Sequence, residues 1–262
     1  MRGFTFAASI VATLTFVFLN GCSPGPPTHG TSFLVTLKTN QAGNPADHSN
    51  QLTRASNVLR KRIDRFGLNY SIERITSERL LIKLQVNGDS RDAARDLISR
   101  HGLLEFRMVH PESATLIAQG IIEPGYEVLK EQVTLGDGQK TFANWLVRKA
   151  PERGLTGKYM RRVTVMRNQM TGRPEIGFEF DATGARLFEQ ITAEHQPAGN
   201  QFFQLGIVLD GELVSVPRIM GVISGGRGVI NGSFTVREAI ALAGILENSL
   251  EVPLRIIDER SF

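Results

Sequence analysis

The feature that most constrains this chain is a twice-repeated switch of hydrophobic period between residues 33 and 109. Phe33-Leu34-Val35-Thr36-Leu37 reads as a strand. From about Ser49 to Phe66 the period lengthens. Leu52, Ala55, Leu59, Ile63 and Phe66 recur at steps of three and four, which makes one apolar helix face. Gly67 is a natural left-handed stop. Ser71–Ile75 and Leu80–Val86 follow as two strands, closely joined through Ser77-Glu78-Arg79. Asp89 or Ser90 can cap a second helix with the face Ala94, Leu97 and Ile98. Gly102 ends it, and Leu103–Val109 is a strand again. Strand, helix, strand, strand, helix, strand is the ferredoxin-like plan of two split βαβ units. The outer face of the first helix carries Arg54, Arg60, Lys61, Arg62 and Arg65. Such a run can meet phosphate or anionic lipid, but a solvated helix face is the expectation.

His110-Pro111 breaks the pattern. Tyr126–Glu131 and Asn144–Arg148 read as paired short strands around Gly136-Asp137-Gly138. Glu175–Phe180 alternates as a strand, and Asp181 caps a helix presenting Ala185, Phe188 and Ile191. Phe203–Leu209 and Glu212–Val216 flank Asp210-Gly211, a two-residue hairpin signal, and Pro217 ends the hairpin. Gly225-Gly226-Arg227-Gly228 leads into a strand at Val229-Ile230-Asn231. Thr235 and Glu238 form a capping box before a helix carrying Ala239, Leu242, Ala243 and Leu246. Leu254–Ile257 is the last strand. The fold class is α+β: a ferredoxin-like βαββαβ unit plus a second α+β subdomain.

A chain of 262 residues makes one or two domains and buries a core without disulfides or metals. Its one cysteine excludes an internal disulfide and a cysteine metal cage. A net charge of +4, from 30 basic against 26 acidic residues, is too small to imply nucleic acid as a partner. One Trp and 7% aromatics leave no stacking platform for single strands.

Arg2 precedes an uncharged apolar run from Phe4 to Leu19. This is shorter than the roughly twenty residues that span a bilayer, and it reads as a secretory leader over residues 1–21. Leu19-Asn20-Gly21-Cys22 resembles the bacterial lipobox, in which the cysteine is acylated and becomes the first mature residue. The alternative is an ordinary signal peptide with an incidental cysteine. Residues 22–30, with Ser23-Pro24-Gly25-Pro26-Pro27-Thr28, read as a flexible tether. A lipid on Cys22 would hold an extracytoplasmic body to the membrane, and no later apolar run reaches spanning length.

Catalytic motifs are scarce. The glycines at 225–228 lack the Gly-Lys-Ser/Thr of a phosphate loop and feed a strand, so no helix terminus faces an anion. A turn needing positive φ is the expectation there. His29, His48, His101, His110 and His195 show no zinc-hydrolase spacing, and no Gly-x-Ser-x-Gly is present. Nothing selects a pair of carboxylates. The expectation is no enzyme, no cofactor and no metal.

Val58-Leu59-Arg60-Lys61-Arg62-Ile63-Asp64-Arg65-Phe66-Gly67 resembles the early helix of the SecD family, subunits of the bacterial SecDF protein-export machinery. Leu104-Glu105-Phe106-Arg107 resembles the strand that leaves the family's first subdomain. Ile207-Val208-Leu209-Asp210-Gly211-Glu212, Ser215, Pro217, Ile223–Gly228, Ile230-Asn231-Gly232 and Phe234-Thr235 resemble its head signature in order and spacing. Pro253-Leu254 and Asp258-Glu259-Arg260 resemble the strand before its second membrane helix. The series covers about residues 31–262.

The resemblance implies a base of residues 31–109 with 251–262 and a head of 110–250. It implies hinges at His110-Pro111 and Glu251-Val252-Pro253, and signature turns at Asp210, Gly211, Gly225, Gly226 and Gly228. It implies a periplasmic, non-catalytic module engaging unfolded preprotein or Sec translocon subunits. The alternative is an envelope scaffold that keeps the fold and binds an unrelated partner. Family SecD carries its proton path in membrane helices around this domain. Here a lipoprotein leader stands in place of the first of these helices and the chain stops at Phe262, so by this reading it harnesses no gradient itself. Asn248-Ser249-Leu250-Glu251 departs from the family's small-residue stretch at the second hinge.

Overall fold

A computed structural model describes residues 25–38, 45–86, 88–136, 138–199 and 201–262. Cys22, the leader and Asp137 lie outside the described residues.

The first unit has strands β1 (Thr31–Leu37), β2 (Tyr70–Thr76) and β3 (Arg79–Leu84), with helices α1 (Pro45–Phe66) and α2 (Arg91–Ser99). Its fourth strand is β12 (Leu254–Ser261), from the far end of the chain. The order β12-β1-β3-β2 is fully antiparallel and ferredoxin-like. Phe33 and Val35 of β1, with Leu80, Ile82 and Leu84 of β3, face Leu52, Leu59 and Ile63 of α1 and Ala94 and Ile98 of α2 in one buried core. The helix period and the strand alternation read from the sequence therefore point at the same interior. Ser90 occupies the N-cap of α2, but its side chain makes no cap bond.

Leu103–Val109 corrects the expectation. The segment forms β4 (Leu104–Met108), but β4 pairs with β9 (Leu205–Leu209) in a second sheet. Its place beside β1 is taken by β12, which registers Leu37 against Leu254 and Thr31 against Ser261. β4 has four buried residues out of five, so it needs apolar cover on both faces. The solvated, charged β12 suits an outer position better.

The second sheet runs β4-β9-β10-β5-β6, with β5 (Tyr126–Thr134), β6 (Lys140–Arg148) and β10 (Glu212–Ser215). A third, β11-β8-β7, combines β7 (Met160–Arg167), β8 (Pro174–Phe180) and β11 (Arg227–Ile230). Helix α4 (Ala182–Glu194) lies against their shared core, where Phe106, Phe178, Phe180 and Phe188 stack with centroids 5.1 to 6.3 Å apart. Asp181 accepts from the Thr183 and Gly184 amides, as its position before α4 predicts. Helix α5 (Val236–Glu247) opens with the expected capping box of Thr235 and Glu238. It is apolar almost all round. Ala239, Leu242, Ala243 and Leu246 join the phenylalanine core, while Ala241 and Ile245 meet Ala93 and Leu97 of α2. A helix buried on every side is one held between two bodies.

Two elements escape the sequence reading. The short α3 (Ser113–Ala118) has too few residues for a period to show. β7 carries Arg161, Arg162 and Arg167 and buries only Val163, so its alternation is masked by charge.

Candidate functional site

The chain crosses from the first unit to the second at residues 100–103 and returns at 248–253. The crossings are tied together, because the Leu250 amide donates to the His101 carbonyl at 2.8 Å. Glu251-Val252-Pro253 lies in the return crossing. Glu251 pairs with Arg54 at 2.5 Å, and the Pro253 carbonyl accepts from the Lys38 amide. His110 and Pro111 lie one strand beyond the outgoing crossing. The His110 amide donates to Leu146 of β6, and its imidazole lies 3.3 Å from Glu123. The transit point thus precedes β4, for the reason that moved β4 into the second sheet.

Arg62 governs this junction. The expectation of a solvated helix face fails here, because Arg62 is 0% exposed. Its guanidinium donates to the carbonyls of Leu97 (2.9 Å), Arg100 (2.7 Å), His101 (3.0 Å) and Asn248 (2.7 Å). These acceptors cluster at the C-terminal ends of α2 and α5, where carbonyls are left without helical partners and the dipole favours a cation. Burial pushes the Arg62 pKa down to about 10, against the opposing pull of the Asp210 carboxylate. Arg65 extends the clasp to Glu247 and to the Val163 carbonyl. The sequence holds a trace of this. Arg62 stands three residues after Leu59 and four before Phe66, on the edge of the apolar stripe, but its charge argues for water.

Asp210 and Gly211 form the expected tight turn, with φ of 52° and 86°. Asp210 also acts at a distance, since its carboxylate accepts from the amides of Gly102 (3.0 Å) and Leu103 (2.8 Å). Gly102 has φ of 91°, and a Cβ there would lie 2.9 Å from the Ile245 carbonyl oxygen. Of the other signature glycines, Gly226 has φ of 61° and would place a Cβ 2.5 Å from that of Ala185. Gly228 would drive one to 2.3 Å from the Phe178 ring, whereas Gly225 faces open space. Positive φ explains Gly226, and close packing explains Gly228. Gly226 and Gly228 thus serve the close packing of the loop against Ala185 and Phe178.

Two clefts stand out, one beside the junction and one within the second unit. One of about 230 Å³ lies between α2 and the second unit. Arg100 bridges Asp96 (3.3 Å) and Glu212 (2.8 Å) at its rim, and burial raises the Asp96 pKa. The other, about 480 Å³, lies between the β5–β6 hairpin and the turn at 168–175. There Glu131 accepts from the indole of Trp145 at 2.9 Å, and burial raises its pKa. Among the described residues no group of three or more His, Cys, Asp or Glu could hold a metal ion, and no helix is long and apolar enough to cross a membrane.

In this fold a ferredoxin-like sheet is closed by a strand that returns from an inserted two-sheet body. A solved structure of SecDF in a super-membrane-facing form matches with a TM-score of 0.61 over 91% of this chain and 32% of that one, at 24% identity. A second, of the membrane component SecDF that enhances protein export, matches with a TM-score of 0.58 over 88% of this chain and 100% of that one, at 26% identity. Residues 127–252 match the family described as SecDF, P1 head subdomain. Protein translocase subunit SecD of Magnetococcus marinus is 34% identical over 210 residues, 79% of this chain and 38% of that protein. SecD of Calditerrivibrio nitroreducens is 31% identical over 234 residues, 87% of this chain and 43% of that protein. The chain belongs to the SecD family through its P1 domain, and spans about two fifths of the curated relatives it matches.

Proposed function

We propose that this protein is a lipid-anchored SecD-type P1 domain that binds translocated, unfolded polypeptide in the cell envelope, without cofactor or catalysis. The observation that carries the reading is the match of residues 127–252 to a P1 head, in a chain related to protein translocase subunits over about four fifths of its length. Several features support it. The head keeps large apolar side chains in water, among them Phe142 at 62% and Ile122 at 60% exposure. Base and head join through two short crossings, at residues 100–103 and 248–253, around the buried Arg62 and the packing of α5 against α2. Cys22 would carry the acyl anchor. Weak binding is expected, because ordering an unfolded ligand offsets about 2–5 kcal/mol of contact energy. A micromolar dissociation constant corresponds to about −8 kcal/mol.

The test is titration of the purified mature protein with a reduced, unfolded secretory protein and with its folded form. Preference for the unfolded chain, unchanged by chelator or ATP, supports the reading. Equal or absent binding to both leaves the envelope scaffold. For the anchor, intact mass spectrometry of the membrane fraction should show acyl mass on Cys22. Retention of Cys22→Ser in that fraction refutes it.

A further inference from the structure

We infer that the outer edge of β6, from Lys140 to Asn144, is where the head takes up an extended polypeptide segment, by strand addition with Phe142 as its apolar anchor. This rests on the polypeptide-binding reading above and gives it a site. β6 is the last strand of the second sheet, and its ladder with β5 runs from Tyr126 opposite Arg148 to Thr134 opposite Lys140. The phase of that ladder follows from its far end. The Leu146 amide donates to the Ser113 hydroxyl, and its carbonyl accepts from the His110 amide, so both groups of Leu146 point away from β5. Antiparallel pairs alternate, so the amide and carbonyl of Asn144 and of Phe142 point outward too. Among the described residues nothing bonds those four groups. The segment around Val109 covers the edge at Leu146 and Val147, beyond this stretch.

The other edges are blunted. β2 has an irregular register between Arg74 and Thr76, and Arg60 occupies its Ile72 carbonyl. Arg65 occupies the Val163 carbonyl of β7. β12 pairs with β1 across a bulge and carries Arg255, Asp258, Glu259 and Arg260. β11 has four residues. β4 is covered by Leu155 and Thr156. β6 shows no register shift, has no proline, and carries along this stretch one charge, Lys140. Edges of that kind are ordinarily protected. Phe142, 62% exposed, shares a face with Asn144 and, across the ladder, with Val128 at 37% exposure. Main-chain groups in strand register accept any extended sequence, while the exposed ring favours apolar side chains on alternate residues. That combination selects for extension and alternation and leaves the sequence otherwise free, as an unfolded chain in transit requires.

The experiment uses the mature protein and a fluorescent decapeptide of alternating Val and Thr, in parallel with the unfolded secretory protein. Asn144→Pro removes an outward amide and leaves the β5 ladder whole, since proline is tolerated at such edge positions. Phe142→Lys places a charge on an already exposed site, so it folds even where the proline variant does not. Each should weaken binding of the decapeptide and of the unfolded protein at least tenfold, about 1.4 kcal/mol. The decapeptide methylated on every amide nitrogen should not bind. Wild-type affinity in either folded variant, or equal binding of the methylated peptide, overturns the edge while leaving polypeptide binding standing. Failure of the wild-type protein to bind the unfolded secretory protein overturns both.

Discussion

At the scale of single residues, the decisive placements are buried charges. Arg62 satisfies four carbonyls from two helix ends, so truncating it strands acceptors away from water. Arg62→Met should lower stability on the order of 3 kcal/mol, read from urea midpoints. Arg62→Lys should lose less, because an ammonium keeps the charge but offers three donors in place of five. Equal losses in both would mean that geometry alone matters. Glu131 gives a pH signature. Burial raises its pKa above the ordinary 4.5, so the folded chain binds this proton more tightly than the unfolded one. Its contribution to stability is then fully present below about pH 4.5 and is lost as pH rises through the folded value. Glu131→Gln removes that loss and keeps an acceptor for Trp145. Relative to wild type, the variant should gain stability as pH rises above about 4.5. A difference that is flat in pH would refute the assignment.

At the scale of elements, the head depends on strands that lie unusually close to what covers them. β11 lies against β8 with Gly228 opposite Phe178, and an added methyl would meet the ring at 2.3 Å. Gly228→Ala should destabilise by about 1–3 kcal/mol through overpacking, with Gly225→Ala near neutral as its control. Thermal unfolding of the two variants measures the contrast. Comparable losses in the two would refute the close-packing account of Gly228.

At the scale of the whole molecule, the base depends on a strand made after the head. β12 pairs with β1 across most of the chain, and the inserted head must fold between them. Closing so long a loop carries an entropic cost that grows only slowly with length, so the topology is tolerable but non-local. A chain ending at Pro253 keeps the whole head yet leaves β1 an open edge and removes Leu254 from the base core. It should lose the base sheet and associate through β1, seen as lost amide protection in residues 31–37 and a rise in apparent mass. A monomeric truncation with β1 still protected would show that the base folds without its fourth strand.

Much of this architecture is legible in the order of residues alone. The period switch places α1, α2 and the strands between them, since a strand and a helix must each turn one apolar face inward. Asp181, Thr235 with Glu238, and Asp210-Gly211 mark their caps and turn because those bonds close within four residues. The sequence does not say which sheet β4 joins. Its apolar pattern states that it is covered on both faces, and says nothing of the neighbour that covers it. Nor does it bury Arg62. The carbonyls that make a buried guanidinium tolerable come from residues 97, 100, 101 and 248, and only the packing of α5 against α1 and α2 brings them to one point. Local bonds are written in adjacent residues, whereas the solvation of a charge is decided by whatever the fold assembles around it.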